Sequence, residues 1–327
     1  ESTYGDRERE PQPKDLEQRL AKIIDSTLAG GGNVVIPSFA VGRTQELLYM
    51  LRRIKDRKFA MIDFPVWLDS PLAIEATSIY ENTLQSYFDA ETNALLDRGI
   101  NPIGFDGLHL SVTSDASRQI NVDETPKVII SASGMCEAGR IRHHLKHNLW
   151  RPECTILFVG YQAVGTLGRT LIDGAVNVKL FGETIDVQAE ICQLTGLSGH
   201  ADREGLLAWV NAFSPKPKRV FVIHGEDEVE NIFAQTLTEQ GFTACAPYNG
   251  EQWAIGAEGA VCLQEGSRVR LEHKPSEGAS RAATVFQRLV SAGKRLLRVI
   301  EHNEGGANKD LAKFADQINA LCDKWDR

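Results

Sequence analysis

Four short apolar runs constrain this chain more than any other feature of its sequence. They are Val34-Val35-Ile36, Val66-Trp67-Leu68, Val128-Ile129-Ile130 and Thr155-Ile156-Leu157-Phe158-Val159. Polar residues do not alternate within them, so each reads as a strand buried on both faces. Helical patterns lie between them. Residues 16–28 place Leu16, Leu20, Ile23, Ile24 and Leu28 on one face, and Gly30-Gly31-Gly32 ends that helix. Residues 41–55 turn Leu47, Leu48, Leu51 and Ile54 inward, and Pro71 suits the first turn of the next helix. Buried strands alternating with helices predict an α/β chain with a parallel sheet covered on both faces.

The texture changes at Val178. Residues 178–180 and 183–194 read as paired strands with more polar alternation, residues 203–212 and 226–240 as helices, and residues 219–223 as a strand. Residues 247–264 read as turns and short strands, and residues 268–273 alternate with period two. Residues 281–300 and 309–325 both have helical period, with a turn at 303–308 between them, which predicts an appended C-terminal helical hairpin. Its stripes are Val285, Leu289, Leu296 and Ile300 on one helix and Leu311, Phe314, Ile318, Leu321 and Trp325 on the other. Such a hairpin is a small core and must dock on the body or on a second chain, so a homodimer is one expectation.

Charge narrows the function. The 327 residues carry 36 Lys and Arg against 44 Asp and Glu, a net charge of −8. Bulk charge therefore excludes a protein that coats nucleic acid, while leaving room for a local basic groove. No apolar run approaches the roughly 18 residues of a membrane helix, and no signal peptide is visible. The six cysteines include no CxxC pair. That is the pattern of a reduced cytoplasmic protein without a cysteine zinc site.

Among eight histidines, His200 and His224 stand out. His200 lies in Leu197-Ser198-Gly199-His200-Ala201-Asp202, a loop opening a helix, and His224 directly follows an apolar strand. Strand ends are where α/β proteins place functional groups, and imidazole there binds metal or moves protons. His143 and His147 share a helix face, but the flanking Arg140, Arg142 and Lys146 make a solvated cationic face the simpler reading, with a phosphate contact as the alternative. The loop from Gly160 to Arg169 offers backbone N–H groups and a guanidinium, which can hold phosphate. No phosphate-loop lysine, GxGxxG or GxSxG pattern occurs.

Several ordered motifs resemble those of metallo-β-lactamase-fold RNA nucleases with an inserted β-CASP domain. They are Glu1-Ser2-Thr3-Tyr4-Gly5 with Asp6-Arg7, Ile36-Pro37-Ser38-Phe39-Ala40-Val41-Gly42-Arg43-Thr44-Gln45-Glu46, Leu68-Asp69-Ser70-Pro71-Leu72-Ala73, Ser131-Ala132-Ser133-Gly134-Met135, the 160–169 loop, Ser198-Gly199-His200-Ala201-Asp202 and Ile223-His224-Gly225-Glu226. The resemblance covers about residues 1–255 and implies a zinc-dependent hydrolase of RNA phosphodiesters. It implies a β-CASP α/β domain at 12–193, flanked by lactamase-fold segments at 1–11 and 194–264, with 265–327 appended.

Roles follow from the resemblance. Glu1 pairs with His200, the proposed proton donor to the leaving oxygen, and Asp202 orients their loop. His224 is the last ligand of a two-zinc site. Arg43, Ser131, Ser133, Gly134, Arg140, Gly165, Thr166 and Arg169 are expected to bind substrate in a groove facing His200, with single-stranded RNA as partner. The family's HxHxDH zinc cluster is not found in these 327 residues. The chain therefore reads as the C-terminal part of a longer parent, incomplete for catalysis alone. A non-catalytic RNA-binding or scaffolding member, or one acting on DNA or a small phosphoester, stays open.

Overall fold

The computed structural model describes residues 1–9, 13–83, 85–257, 259–268, 293, 296, 297, 299, 300 and 308–325. They fall into two units, one of residues 1–247 with 255–261, the other of 248–254 with 262 onward.

The first unit is built on a parallel sheet. Helix α1 (Leu16–Ala29) leads to β1 (Val34–Pro37), then α2 (Arg43–Asp56). Strand β2 (Val66–Leu68) leads to α3 (Pro71–Glu81), a 3-10 turn at Gln85–Tyr87 and α4 (Ala90–Leu96). Next come β3 (Leu108–Leu110) and α5 (Ser114–Val122), β4 (Val128–Ser131) and α6 (Ile141–Asn148), and β5 (Thr155–Phe158) and α7 (Leu167–Ile172). An antiparallel ribbon of β6 (Asn177–Leu180) and β7 (Glu183–Asp186) precedes β8 (Glu190–Gln193). The order is β3-β2-β4-β1-β5-β8, with parallel neighbours throughout. Val34 is in register with Val128 and Thr155.

Strand side chains alternate between faces, and the two cores follow. Val34, Ile36, Val66, Leu68, Val128 and Ile130 pack with Leu20, Ile24, Leu47 and Leu51 of α1 and α2. Val35, Ile129, Ile156 and Phe158 pack with Ile120, Ile141, Leu145 and Leu171 of α5, α6 and α7. Burial on both faces is what the continuous apolar runs require.

One expectation is corrected. Residues 183–194 are two strands rather than one. The N–H groups of Gln188 and Ala189 both donate to the Leu149 carbonyl, at 2.8 and 2.9 Å. That draws the chain out of the ribbon, and β8 joins the main sheet beside β5.

A third core serves the remainder of the unit. Helix α8 (Arg203–Asn211), β9 (Val220–Phe221), α9 (Asp227–Glu239) and β10 (Ala244–Cys245) follow in order, and β9 and β10 pair in parallel. Leu206, Val210, Val222, Phe233, Leu237 and Phe242 fill the space among them. Strands β11 (Gln252–Gly256) and β12 (Gly259–Gln264) form a two-stranded sheet.

In the second unit Asn249 bridges Ser267, and α10 (Asn308–Trp325) carries half-buried Leu311, Phe314 and Ile318 at helical spacing. Most of residues 268–273 and 281–300, and nearly all of the 303–308 turn, lie outside the described residues, so the first hairpin helix does too.

Topology has one consequence for function. Helices α2, α3, α5, α6 and α7 each follow directly on a strand of the parallel sheet. All five therefore begin at the same C-terminal edge, where ligands bind in open α/β sheets. Ser70, Thr113 and Thr166 cap three of them, accepting from the N–H groups of Ala73, Ala116 and Arg169 at 3.3, 3.1 and 3.2 Å.

Candidate functional site

The N-terminal segment enters the third core as a short extended piece. Tyr4 forms a parallel bridge with Asp202, and the Ser2 N–H donates to the His224 carbonyl at 3.1 Å. Two glycines permit this approach. A Cβ on Gly5 would lie 2.8 Å from Phe233 Cβ, and one on Gly225 would lie 2.4 Å from Ser2 Oγ. His224 has a positive φ of 64°, which ends β9's extended path and turns the chain towards α9.

This brings Glu1, His200 and His224 together. Glu1 Oε2 accepts from His200 Nδ1 at 2.8 Å and from His224 Nδ1 at 3.0 Å. The two rings stack with centroids 5.5 Å apart. Burial raises the Glu1 pKa, but hydrogen bonds from His200 and the Thr3 amide outweigh it, so the carboxyl lies below its ordinary range. Because Glu1 holds Nδ1 of each ring, Nε2 of each is left to act.

Asp202 acts on the loop. Its Oδ1 accepts from the Gly205 N–H at 2.9 Å, capping α8, and its Oδ2 accepts from the Arg9 N–H at 3.2 Å. Those backbone donors lower its pKa. The Arg9 guanidinium donates to the His200 carbonyl. Asp202 and Arg9 thus fix the backbone that carries His200.

The other expected substrate residues gather at the C-terminal edge of the sheet. Arg43 opens α2, Ser131 ends β4, Ser133, Gly134 and Arg140 lie between β4 and α6, Gly165 and Thr166 lie between β5 and α7, and Arg169 is in the first turn of α7. The three arginines are each paired. Arg43 pairs with Glu46, Arg140 with Asp69 and Arg169 with Asp173. Ser131 is buried, and its hydroxyl donates to the Asp69 carbonyl at 2.8 Å. Ser133 Oγ accepts from the Ala138 N–H at 3.3 Å. In an acidic chain each guanidinium finds a carboxylate within reach.

The helix 141–148 turns two histidines outward, as its solvated cationic face predicts. His143 and His147 are on its exposed side, with His143 stacked on Phe181 at 4.4 Å. The residue that matters is His144, fully buried, with Nε2 2.7 Å from Asp69 Oδ2 and Nδ1 2.9 Å from Asn121 Oδ1. Sequence reasoning passed over it. The signal was the periodicity of Ile141, His144, Leu145 and Asn148, which marks the buried face.

A second missed pair is Tyr161 and Glu226. The Tyr161 hydroxyl donates to Glu226 Oε1, tying the 160–169 loop to the residue two after His224. Burial and the Glu226 carboxylate push the phenol up to about 12. The same loop lines a cleft of about 310 Å³ with Tyr4, Arg169 and Ser198. Ser198 Oγ accepts from the His200 N–H at 3.3 Å, and Tyr4 meets the His200 ring edge-on. The cleft and the histidine pair therefore share walls.

One carboxylate and two imidazoles with donor atoms within 4.8 Å of one another form the metal-capable cluster found among the described residues. Two imidazoles and a carboxylate are a donor set that suits zinc chemically.

Comparison with known proteins places these features in a family. The Beta-Casp domain model matches residues 44–171, and the Zn-dependent metallo-hydrolase RNA specificity domain matches residues 184–247. Ribonuclease TTHA0252 of Thermus thermophilus is 39% identical over 74% of this chain and 54% of its own length. Transcription termination factor FttA of Pyrococcus abyssi is 35% identical over 76% of this chain and 39% of its own. The RNase J-like protein of Methanocaldococcus jannaschii is 32% identical over 72% and 53%. The chain thus spans about half, or less, of the length of the curated relatives it matches. With both domains in sequence order, a parallel sheet under the first and the paired histidines within the second, the chain belongs to the β-CASP family of RNA-processing metallo-hydrolases.

Proposed function

We propose that this chain supplies the substrate-gripping domain and the acid–base pair of a zinc-dependent ribonuclease. The observation that carries this is the single oxygen, Glu1 Oε2, accepting from Nδ1 of both His200 and His224. A carboxylate in that position sets the tautomer of each ring. His224 then offers Nε2 as a metal ligand, and His200 offers Nε2 for proton transfer.

Zinc, when bound, supplies Lewis acidity at the phosphate and a ready nucleophile from water. This chain's own residues do the rest. Glu1 orients both rings, and His200 delivers a proton to the leaving ribose oxygen. Asp202 and Arg9 keep the His200 backbone in place. Backbone N–H groups at the start of α2 and the Arg169 side chain in the cleft hold phosphates. In this reading the site takes two zinc ions, and most of their ligands lie beyond these 327 residues. Single-stranded RNA in the cytoplasm is the substrate, and the C-terminal segment promotes a homodimer.

The test uses the longer protein that carries this chain. His200→Ala lowers turnover about 10²–10⁴-fold with metal content intact. His224→Ala lowers metal occupancy as read by elemental analysis. Equal metal loss in both variants overturns the assignment.

A further inference from the structure

Three of the five loops that leave the sheet at its C-terminal edge, and the first turn of α3, expose an apolar side chain. Phe39 is 50% exposed and Val41 61% after β1, Val112 60% after β3, Val164 64% after β5, and Leu72 61% at the start of α3. A scattered exposed apolar residue needs no explanation. A set repeated loop by loop at one edge, among helix N-termini, is a surface with two chemistries, apolar faces and N–H donors.

Phe39 is the best built of them. Its ring rests on Gly134, where a Cβ would come within 2.7 Å of Cδ2 and 2.9 Å of Cε2. Its carbonyl accepts from Thr44 Oγ1 at 2.7 Å, and the preceding Ser38 N–H donates to the Ser131 carbonyl at 3.0 Å. The backbone is therefore pinned and one side of the ring is supported, while half the residue faces solvent. Such a ring is pre-organised, so little freedom is lost when something stacks on it.

We propose that Phe39 is a stacking platform for an unpaired nucleobase of the RNA taken at this edge. The proposal rests on the RNA reading above. Aromatic faces bind bases of any sequence, while phosphates are held by fixed N–H donors. A duplex keeps its bases stacked on one another and offers no free face to Phe39. The pairing of supports explains why glycine occupies position 134: any side chain there would lift the ring.

The experiment measures binding of the 327-residue chain to a short single-stranded RNA, to the same strand with abasic sites, and to its duplex, at several salt concentrations. The unsubstituted chain prefers the intact strand over the abasic one by roughly 5- to 100-fold, in line with the usual strength of base–aromatic stacking. Phe39→Ala loses that preference with an unchanged salt slope, because no phosphate contact is removed. Phe39→Trp restores it, and Gly134→Ala mimics Phe39→Ala by displacing the ring. Circular dichroism of each variant shows the fold retained. Three results overturn the platform: Phe39→Ala binding like the unsubstituted chain, a loss carried by the salt slope, or duplex bound as tightly as single strand. Failure of the unsubstituted chain to bind any RNA overturns the RNA reading itself, and that outcome is distinct from the other three.

Discussion

Replacing Asp69 with asparagine removes one charge from the most enclosed ionic cluster among the described residues. Asp69 is fully buried. Its Oδ1 accepts from Arg140 Nη1 at 2.7 Å, and its Oδ2 accepts from Ser117 Oγ at 2.6 Å and from His144 Nε2 at 2.7 Å. Asparagine keeps the shape but turns one acceptor into a donor, so an N–H faces either Arg140 or His144 and Ser117. Breaking a buried pair in this way costs about 3–5 kcal/mol. At roughly 2–4 °C per kcal/mol for a unit of this size, the melting temperature falls by about 6–20 °C. Acid adds an independent readout. Burial pushes Asp69 up, but the hydrogen bonds with His144 and Ser117 pull it down from 3.8 to about 2. A folded pKa below the unfolded one contributes stability above about pH 4, and that stability is lost as pH falls through about 2. The contribution is about 2 kcal/mol. Urea titrations at pH 7, 4 and 2.5 compare the two proteins. A variant within 1 kcal/mol of the parent at pH 7, or one with the parent's acid slope, refutes the view of Asp69 as the charged hub of this edge.

Two further outcomes follow from local geometry. Gly32→Ala places a Cβ 1.8 Å from the Glu153 carbonyl oxygen. Backbone rather than a flexible side chain must then move where β1 and β5 begin, and the urea midpoint drops by the equivalent of about 1–3 kcal/mol or more. Tyr161, held near 12 by burial and by Glu226, stays protonated through pH 11. The ultraviolet titration of the parent minus that of Tyr161→Phe shows its ionisation only beyond that pH, and Glu226→Gln moves the step lower.

The strands were legible because burial on both faces leaves no room for polar residues. Val34 to Ile36 and Val128 to Ile130 show this directly. Edge elements were not: β3 is three residues of mixed exposure, and α4 buries no side chain, so neither leaves a periodic trace. The break within residues 183–194 depends on the Leu149 carbonyl, more than thirty residues away in sequence. Motif resemblance pointed to the site residues, but not to what each arginine touches. Arg140 and Arg43 look alike in sequence. One reaches across 71 residues to Asp69, and the other reaches three residues to Glu46. Contacts of that kind are decided by the fold, and so is the choice of His144 over His143 as the buried imidazole.

The same contacts bear on how an acidic chain can hold a polyanion. With a net charge of −8 the long-range field repels RNA. Arg43, Arg140 and Arg169 do not reverse this locally, since each is matched by a carboxylate. What remains at the sheet edge is the helix starts: at α7 Glu137 already accepts from the Leu167 N–H, at α6 the first N–H groups bond to backbone carbonyls, and the positive end of α2 is felt only within its first turn. Attraction of that range does nothing to draw RNA in from a distance and acts once a phosphate is in contact. Recognition at such an edge is therefore decided by fit: by where the N–H groups point and by what the apolar faces between them can accept. A strand with exposed bases satisfies both, which is why the platform proposed at Phe39 and the phosphate contacts proposed at the start of α2 belong to one binding surface.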